Sequence, residues 1–168
     1  IGDKIFKDRK LRSVIVSEEY KFWKFISGKK FLNQNLIDLD ERLLKNFYLN
    51  KGFYNVKINS SFAKMVNETE FELIFNIVPN NRFFFNKISL DLPIDFDQTN
   101  FKDLNKLFKN LNGEKYSLFV IEKILKEIDR IILDEEYKTL ETQVDENIFD
   151  NKIDLTFSIN EGKKFIVE

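Results

Sequence analysis

Two stretches of the chain carry the same alternation of apolar and polar positions. FELIFNIVPNNRFFFN at residues 71–86 and IDLTFSINEGKKFIVE at residues 153–168 superimpose with one constant shift, so that Leu73, Phe75 and Ile77 fall on Leu155, Phe157 and Ile159. An apolar residue at every second position marks a strand with one buried face. Upstream, GKKF at 28–31 matches GEKY at 113–116, and a long amphipathic segment follows each. The shift differs slightly between the two matches, as small loop insertions would make it. Self-similarity over such a distance means two copies of one supersecondary unit in tandem.

In the first copy, Asp8 is placed to cap a short helix carrying Leu11, Val14 and Ile15, and Asn35 to cap a longer one carrying Leu36, Leu39, Leu43 and Phe47. Gly52 ends that helix, and a residue without a Cβ there predicts a left-handed C′ position with positive φ. A strand is predicted from 53 to 62, with Val56, Ile58 and Phe62 on one side and Asn55, Lys57, Asn59 and Ser61 on the other, and a second through Phe71, Leu73, Phe75 and Ile77. The second copy opens with a strand in which Ile88, Leu90 and Leu92 share a face, ended by Pro93. A short helix follows with Phe101, Leu104, Leu107 and Phe108 inward. Ser117 then caps a strongly periodic helix through Ile121, Ile124, Leu125, Ile128, Ile131 and Ile132, and strands through Leu140, Thr142 and Val144 and through Ile153 to Ile159 complete the copy. The order β-α-α-β-β is complete in the second copy and lacks most of its opening strand in the first. The predicted fold is α+β: two units at 1–81 and 82–163, each a small three-stranded mixed sheet covered on one face by two helices, with 164–168 beginning the strand of a further repeat.

The 27 basic and 28 acidic residues leave a net charge of −1, so no bulk positive field draws in a phosphate backbone, and nucleic acid is not an expected partner. Cys and His are both absent, which removes thiolate and imidazole catalysis, tetrahedral zinc sites and disulfides. The remaining carboxylate clusters, Asp38 with Asp40 and Glu41, and Asp134 with Glu135 and Glu136, flank Lys or Arg and read as polar faces that solvate helices. No catalytic residue, metal or cofactor is therefore expected. The aromatic run Tyr20, Phe22, Trp23 and Phe25, interleaved with Lys21 and Lys24, fits core or interdomain packing or a protein contact better than a base-stacking platform. No apolar run approaches the roughly 20 residues of a transmembrane helix. IGDKIF, at the start, reads as a cut from within a longer protein.

Ile1 to Phe6 (IGDKIF) resembles the hydrophobic-Gly-Asn-x-x-Phe turn into the first helix of polypeptide-transport-associated (POTRA) repeats, with Asp3 for the usual Asn. LIDLDERLLKNFYLNKGF at 36–53 is similar to the family's long helix and its Tyr-Leu-x-x-Gly-Tyr ending, and NEGKKFIVE at 160–168 to the Glu-Gly-x-x-Tyr-x-Val junction where one repeat feeds the next. Three glycines carry the family's turns here: Gly2, Gly52 and Gly162. Glu136 stands where the family's Gly should precede Tyr137, and Asn80 where Gly162 stands in the second copy; Asn is the next-best tolerated residue at a left-handed position. The resemblance covers nearly the whole chain and places the pair as third and fourth of five repeats.

It implies a non-enzymatic docking and scaffold module on the periplasmic side of the bacterial outer membrane, attached to the membrane only through a C-terminal barrel of the parent protein. The implied partners are unfolded outer-membrane proteins, accessory assembly lipoproteins and adjacent POTRA repeats. Recognition by β-augmentation needs a sheet edge, and the candidates are Phe53, Tyr54, Asn55, Val56, Lys57, Ile58, Asn59 and Ser60 in the first copy and Lys138, Thr139, Leu140, Glu141 and Thr142 in the second. The other reading of these strands is a solvated edge blunted by Lys57 in a passive structural spacer that only positions neighbouring repeats and the barrel.

Overall fold

The computed structural model describes residues 5–17, 34–67, 70–94, 96–134 and 140–161. The chain forms two compact units that change over between Asn81 and Arg82, except that Asn50–Gly52 belongs with the second.

The first unit comprises α1 (Asp8–Arg12), α2 (Gln34–Leu49), β1 (Lys57–Asn67) and β2 (Glu70–Val78). Asp8 lies in the first turn of α1 and not at its cap; Lys7 holds that position without a side-chain bond, and Val14 and Ile15 fall beyond the helix end. In α2 the buried stripe runs Ile37, Asp40, Leu44 and Tyr48, one residue per turn. Its last member joins Phe53 and Val56 in an apolar cluster against which Phe6, Leu11, Phe47, Leu49 and Ile77 pack. Phe6 meets the rings of Phe47, Tyr48 and Phe53 edge-on at 4.9, 5.3 and 6.1 Å, the geometry that sets the positive rim of one ring against the negative face of another.

The strand expected from Phe53 begins only at Lys57. Phe53 N–H donates to Tyr48 O and Val56 N–H to Phe53 O, so Phe53, Tyr54, Asn55 and Val56 make the turn out of α2, and Phe53 and Val56 are core residues. β1 then pairs antiparallel with β2, with an irregularity at Asn59: Ile58 faces Ile77, but Ser61 faces Phe75 and Phe62 faces Ile74. The extra residue shifts the register by one position against the regular pairing that the sequence pattern assumes. Asn80 has φ of 59°, as expected of the residue standing for a family glycine, and its Nδ2 donates to Asn55 O at 2.6 Å.

The second unit comprises β3 (Phe84–Asp91), a 3-10 turn (Gln98–Phe101), α3 (Lys102–Leu111), α4 (Leu118–Asp134), β4 (Leu140–Phe149) and β5 (Lys152–Glu161). Strand order is β3-β5-β4, with β3 parallel and β4 antiparallel to the central β5. Ile153, Leu155 and Phe157 on β5 are fully buried together with Phe101, Ile124 and Ile128 from the helical layer. The Phe108 ring stacks on Phe157 at 5.9 Å. Leu107, expected inward, is 39% exposed: Phe101, Leu104 and Phe108 centre the apolar face of α3, and position 107 falls on its flank.

Asn50 and Gly52 supply this unit with two contacts that local sequence does not reveal. Asn50 Oδ1 accepts Phe119 N–H at 2.7 Å and the Ser117 hydroxyl at 3.2 Å, so the first turn of α4 is capped from 69 residues away and Ser117 is a donor to the cap. Asn50→Ala should lower the stability of the second unit by about 0.5–2 kcal/mol, the usual worth of an N-cap; denaturant unfolding checks it, and no change would deny the cap a role. Gly52 has φ of 91°, as predicted, and its carbonyl accepts Phe83 N–H at 2.8 Å, while a Cβ there would lie 3.4 Å from Phe83 O. Gly52→Val is expected to cost about 1–2 kcal/mol because a β-branched residue is strained at positive φ, and the loss should appear in the second unit.

Candidate functional site

β4 is an edge strand, bonded on one side to β5 over a ten-pair register from Leu140↔Glu161 to Phe149↔Lys152. That register places Thr142, Val144, Glu146 and Ile148 opposite Ile159, Phe157, Leu155 and Ile153 on the face toward the core, where Thr142 and Val144 are half-buried and Glu146 and Ile148 exposed, while Glu141, Gln143, Asp145 and Asn147 fall on the far face. The second side of β4 bonds no further strand among the described residues, and Glu141, Asp145 and Glu146 are exposed along it. Such a strand offers a row of main-chain donors and acceptors that any extended segment can use whatever its sequence, while the acidic side chains discourage indiscriminate pairing. Leu140, Glu141 and Thr142 form the start of this strand. Lys138 and Thr139 lie outside the described residues.

The first unit offers less of its expected edge. Lys57, Ile58, Asn59 and Ser60 form the start of β1, whereas Phe53 to Val56 belong to the preceding turn and offer no strand edge. Among the described residues β1 and β2 form a two-stranded sheet. Gly2 and Gly162, the aromatic run 20–25, Glu136 and residues 164–168 lie outside the described residues.

The carboxylate clusters do not converge. Asp38 is exposed and accepts a hydrogen bond from Gln34 Nε2 at 2.8 Å, one turn away on α2. Asp40, read from sequence as part of a solvated face, is fully buried: its Oδ1 accepts Val16 N–H at 2.7 Å, and both oxygens lie within 3.4 Å of Ser17 N–H. It is thus an anchor for the segment after α1, a role its flanking charges concealed. Asp154 does similar work in the second unit, where Oδ1 accepts Asn86 Nδ2 at 2.7 Å and Lys87 N–H at 2.9 Å and so holds a β3 irregularity between Phe85 and Ile88. Among the described residues no three His, Cys, Asp or Glu side chains are grouped to hold a metal. No helix among them is long and apolar enough to cross a membrane.

Residues 1–80 match the family model POTRA, described as a surface antigen variable number repeat. The first 80 residues thus resemble a repeat of that family. Over 100% of its length it is 25% identical to the outer membrane protein assembly factor BamA of Buchnera aphidicola, of which it spans 27%. Among solved structures, the POTRA3-5 segment of Haemophilus influenzae BamA matches 96% of the chain and 63% of its own length, with a TM-score of 0.65 at 13% identity. Haemophilus ducreyi BamA lacking POTRA domains 1-3 matches 96% of the chain and 28% of its own length, with a TM-score of 0.63 at 16% identity. POTRA1-2 of the periplasmic domain of Omp85 from Anabaena matches 95% of the chain and 86% of its own length, with a TM-score of 0.53 at 16% identity. At such identities the structural matches establish the fold.

Proposed function

We propose that this POTRA pair is a docking and scaffold module in outer-membrane protein assembly, working on the periplasmic side of the membrane as part of a longer protein that carries the barrel. It holds extended segments, from unfolded outer-membrane proteins or accessory assembly lipoproteins, by adding them to a free sheet edge, and it carries no catalytic step. The match over the whole chain to an assembly factor supports the setting. The observation that carries the mode of binding is β4, an edge strand bonded on one side to β5 and, among the described residues, to no strand on the other, which leaves that side to main-chain chemistry. Domain limits of 1–81 and 82–163 remain part of this reading, with the qualification that Asn50–Gly52 packs with the second unit.

Titration of labelled peptides that copy outer-membrane β-strands should shift the backbone amides of residues 140–149 in the full chain, with smaller effects at 57–60. N-methylation of alternate peptide amides should abolish the shifts, because it removes the ladder donors and leaves the side chains in place. Saturating peptide with no shift at either edge would favour the passive spacer.

A further inference from the structure

The sheet of the second unit has a second edge, flanked by Lys87 and Lys109 where a groove runs beside it and ending in exposed Asp91, whereas β4 carries Glu141 and Asp145. The first half of the outer side of β3 is closed by the loop after α3: Gly113 N–H donates to Phe85 O, Phe85 N–H to Glu114 O and Tyr116 N–H to Phe83 O, at 2.8, 2.9 and 3.0 Å. The irregularity at Asn86 and Lys87 ends that closure, and Asn112 Nδ2 fastens it by donating to Asn86 O at 2.5 Å. From Ile88 to Asp91 the outer side of β3 bonds no third strand among the described residues. Alongside lies an open groove of about 710 Å³ between β3 and α3. Its floor is apolar, from half-buried Ile88 and nearly buried Phe108. Asn105 and Lys109, one turn apart on the flank of α3, form one wall, and Lys87 stands on the β3 rim. Both lysines are exposed, and neither pairs with a carboxylate among the described residues.

We propose that this groove is a second docking site, selective for an extended polypeptide segment that alternates apolar residues with carboxylate-bearing ones. Main-chain groups of residues 88–91 pair with the segment, its apolar side chains cover Ile88 and Phe108, and its carboxylates meet Lys87 and Lys109. β4, carrying Glu141, Asp145 and Glu146, disfavours the same segment, so the two edges of one sheet sort extended chains by charge. The proposal rests on the reading that the module docks extended segments at all.

The test uses the full chain and three peptides with one apolar pattern and Glu, Ser or Lys at the intervening positions. The Glu peptide is expected to shift amides at 88–91 and 105–112 with an affinity about 3- to 10-fold above that of the Lys peptide, the difference two exposed ion pairs supply, and to lose that advantage in high salt. The exposed double variant K87E/K109E should reverse the order without altering the fold, which its amide spectrum reports. Equal affinity of all three peptides at 88–91, or Glu-peptide shifts confined to 140–149, would overturn the charge-selective site while leaving edge docking intact. Absence of shifts at both edges would overturn the docking reading itself, and this site with it.

Discussion

Leu155→Ala is expected to destabilise the second unit by about 2–5 kcal/mol while the first unit keeps its own unfolding transition. Leu155 sits at the centre of β5, a strand with a partner on each side: it lies opposite Ile88 on β3 and Glu146 on β4. It is fully buried, as are Ile153 and Phe157, its neighbours on the same face, and the helical layer above it presents buried Leu104, Phe108, Ile124 and Ile128. Removing three carbons from such a position leaves a cavity walled by a sheet below and two helices above. None of these can close in without breaking a ladder or a helix contact, so the loss should lie toward the upper end of the range. The first unit draws on a different core, Tyr48, Phe53 and Val56 with Phe6 and Ile77 around them. Denaturant unfolding followed by amide resonances of each unit separates the two. An equal loss of stability in both would mean that the units unfold as one and would overturn the two-core reading.

The elements that the sequence displayed most plainly are those that bury one face against a single layer. β5 and α4 each bury a single stripe against one partner layer, so their periods of 2 and 3.6 survive in the order of residues, and Ile153 to Ile159 and Ile121 to Ile132 emerged at the right positions. Positive φ at Gly52 and Asn80 was legible for another reason: few residue types tolerate it, and the chain placed one of them after each run of regular structure. The β4 edge could be placed because Leu140, Thr142 and Val144 alternate, weakly, with charged and amide residues. What could not be read was set by single residues acting over a distance. One extra residue at Asn59 shifts the register of β1 by one position, which a pattern counted straight through it does not show. Asn50 caps α4 across 69 positions, and the only local hint was an Asn just past the end of α2. The groove beside β3 depends on an irregularity held by Asp154, on a strand 67 residues from Lys87, which leaves no periodic trace.

Asp40 is the other residue whose replacement should be felt strongly, and it is the one the sequence disguised most. Its neighbours Asp38, Glu41 and Arg42 are charged, yet α2 turns it inward between Ile37 and Leu44, at 0% exposure. A carboxylate enters an apolar stripe only where donors receive it, and here they are the main-chain amides of Val16 and Ser17, in the segment that follows α1. Asp40→Ala would leave both amides without their acceptor and open a small void in the stripe. The expected cost is about 1–3 kcal/mol in the first unit, because the two amides are only part-buried and water meets some of what Asp40 leaves. Asp40→Asn keeps one oxygen of nearly the same position but loses the charge and turns the other acceptor into a donor facing Ser17 N–H. It should therefore fall between the wild type and Asp40→Ala. Asp38→Ala, on the exposed side of the same helix, should stay within about 0.5 kcal/mol and serves as the control for helix propensity and charge. Hydrogen exchange adds a local readout: the amides of Val16 and Ser17 should lose protection in Asp40→Ala by more than the global loss explains, because the bonds that shield them are gone. Protection that falls only in step with global stability would mean that Asp40 acts through the packing of α2 alone, and a loss no larger than that of Asp38→Ala would remove its role as an anchor.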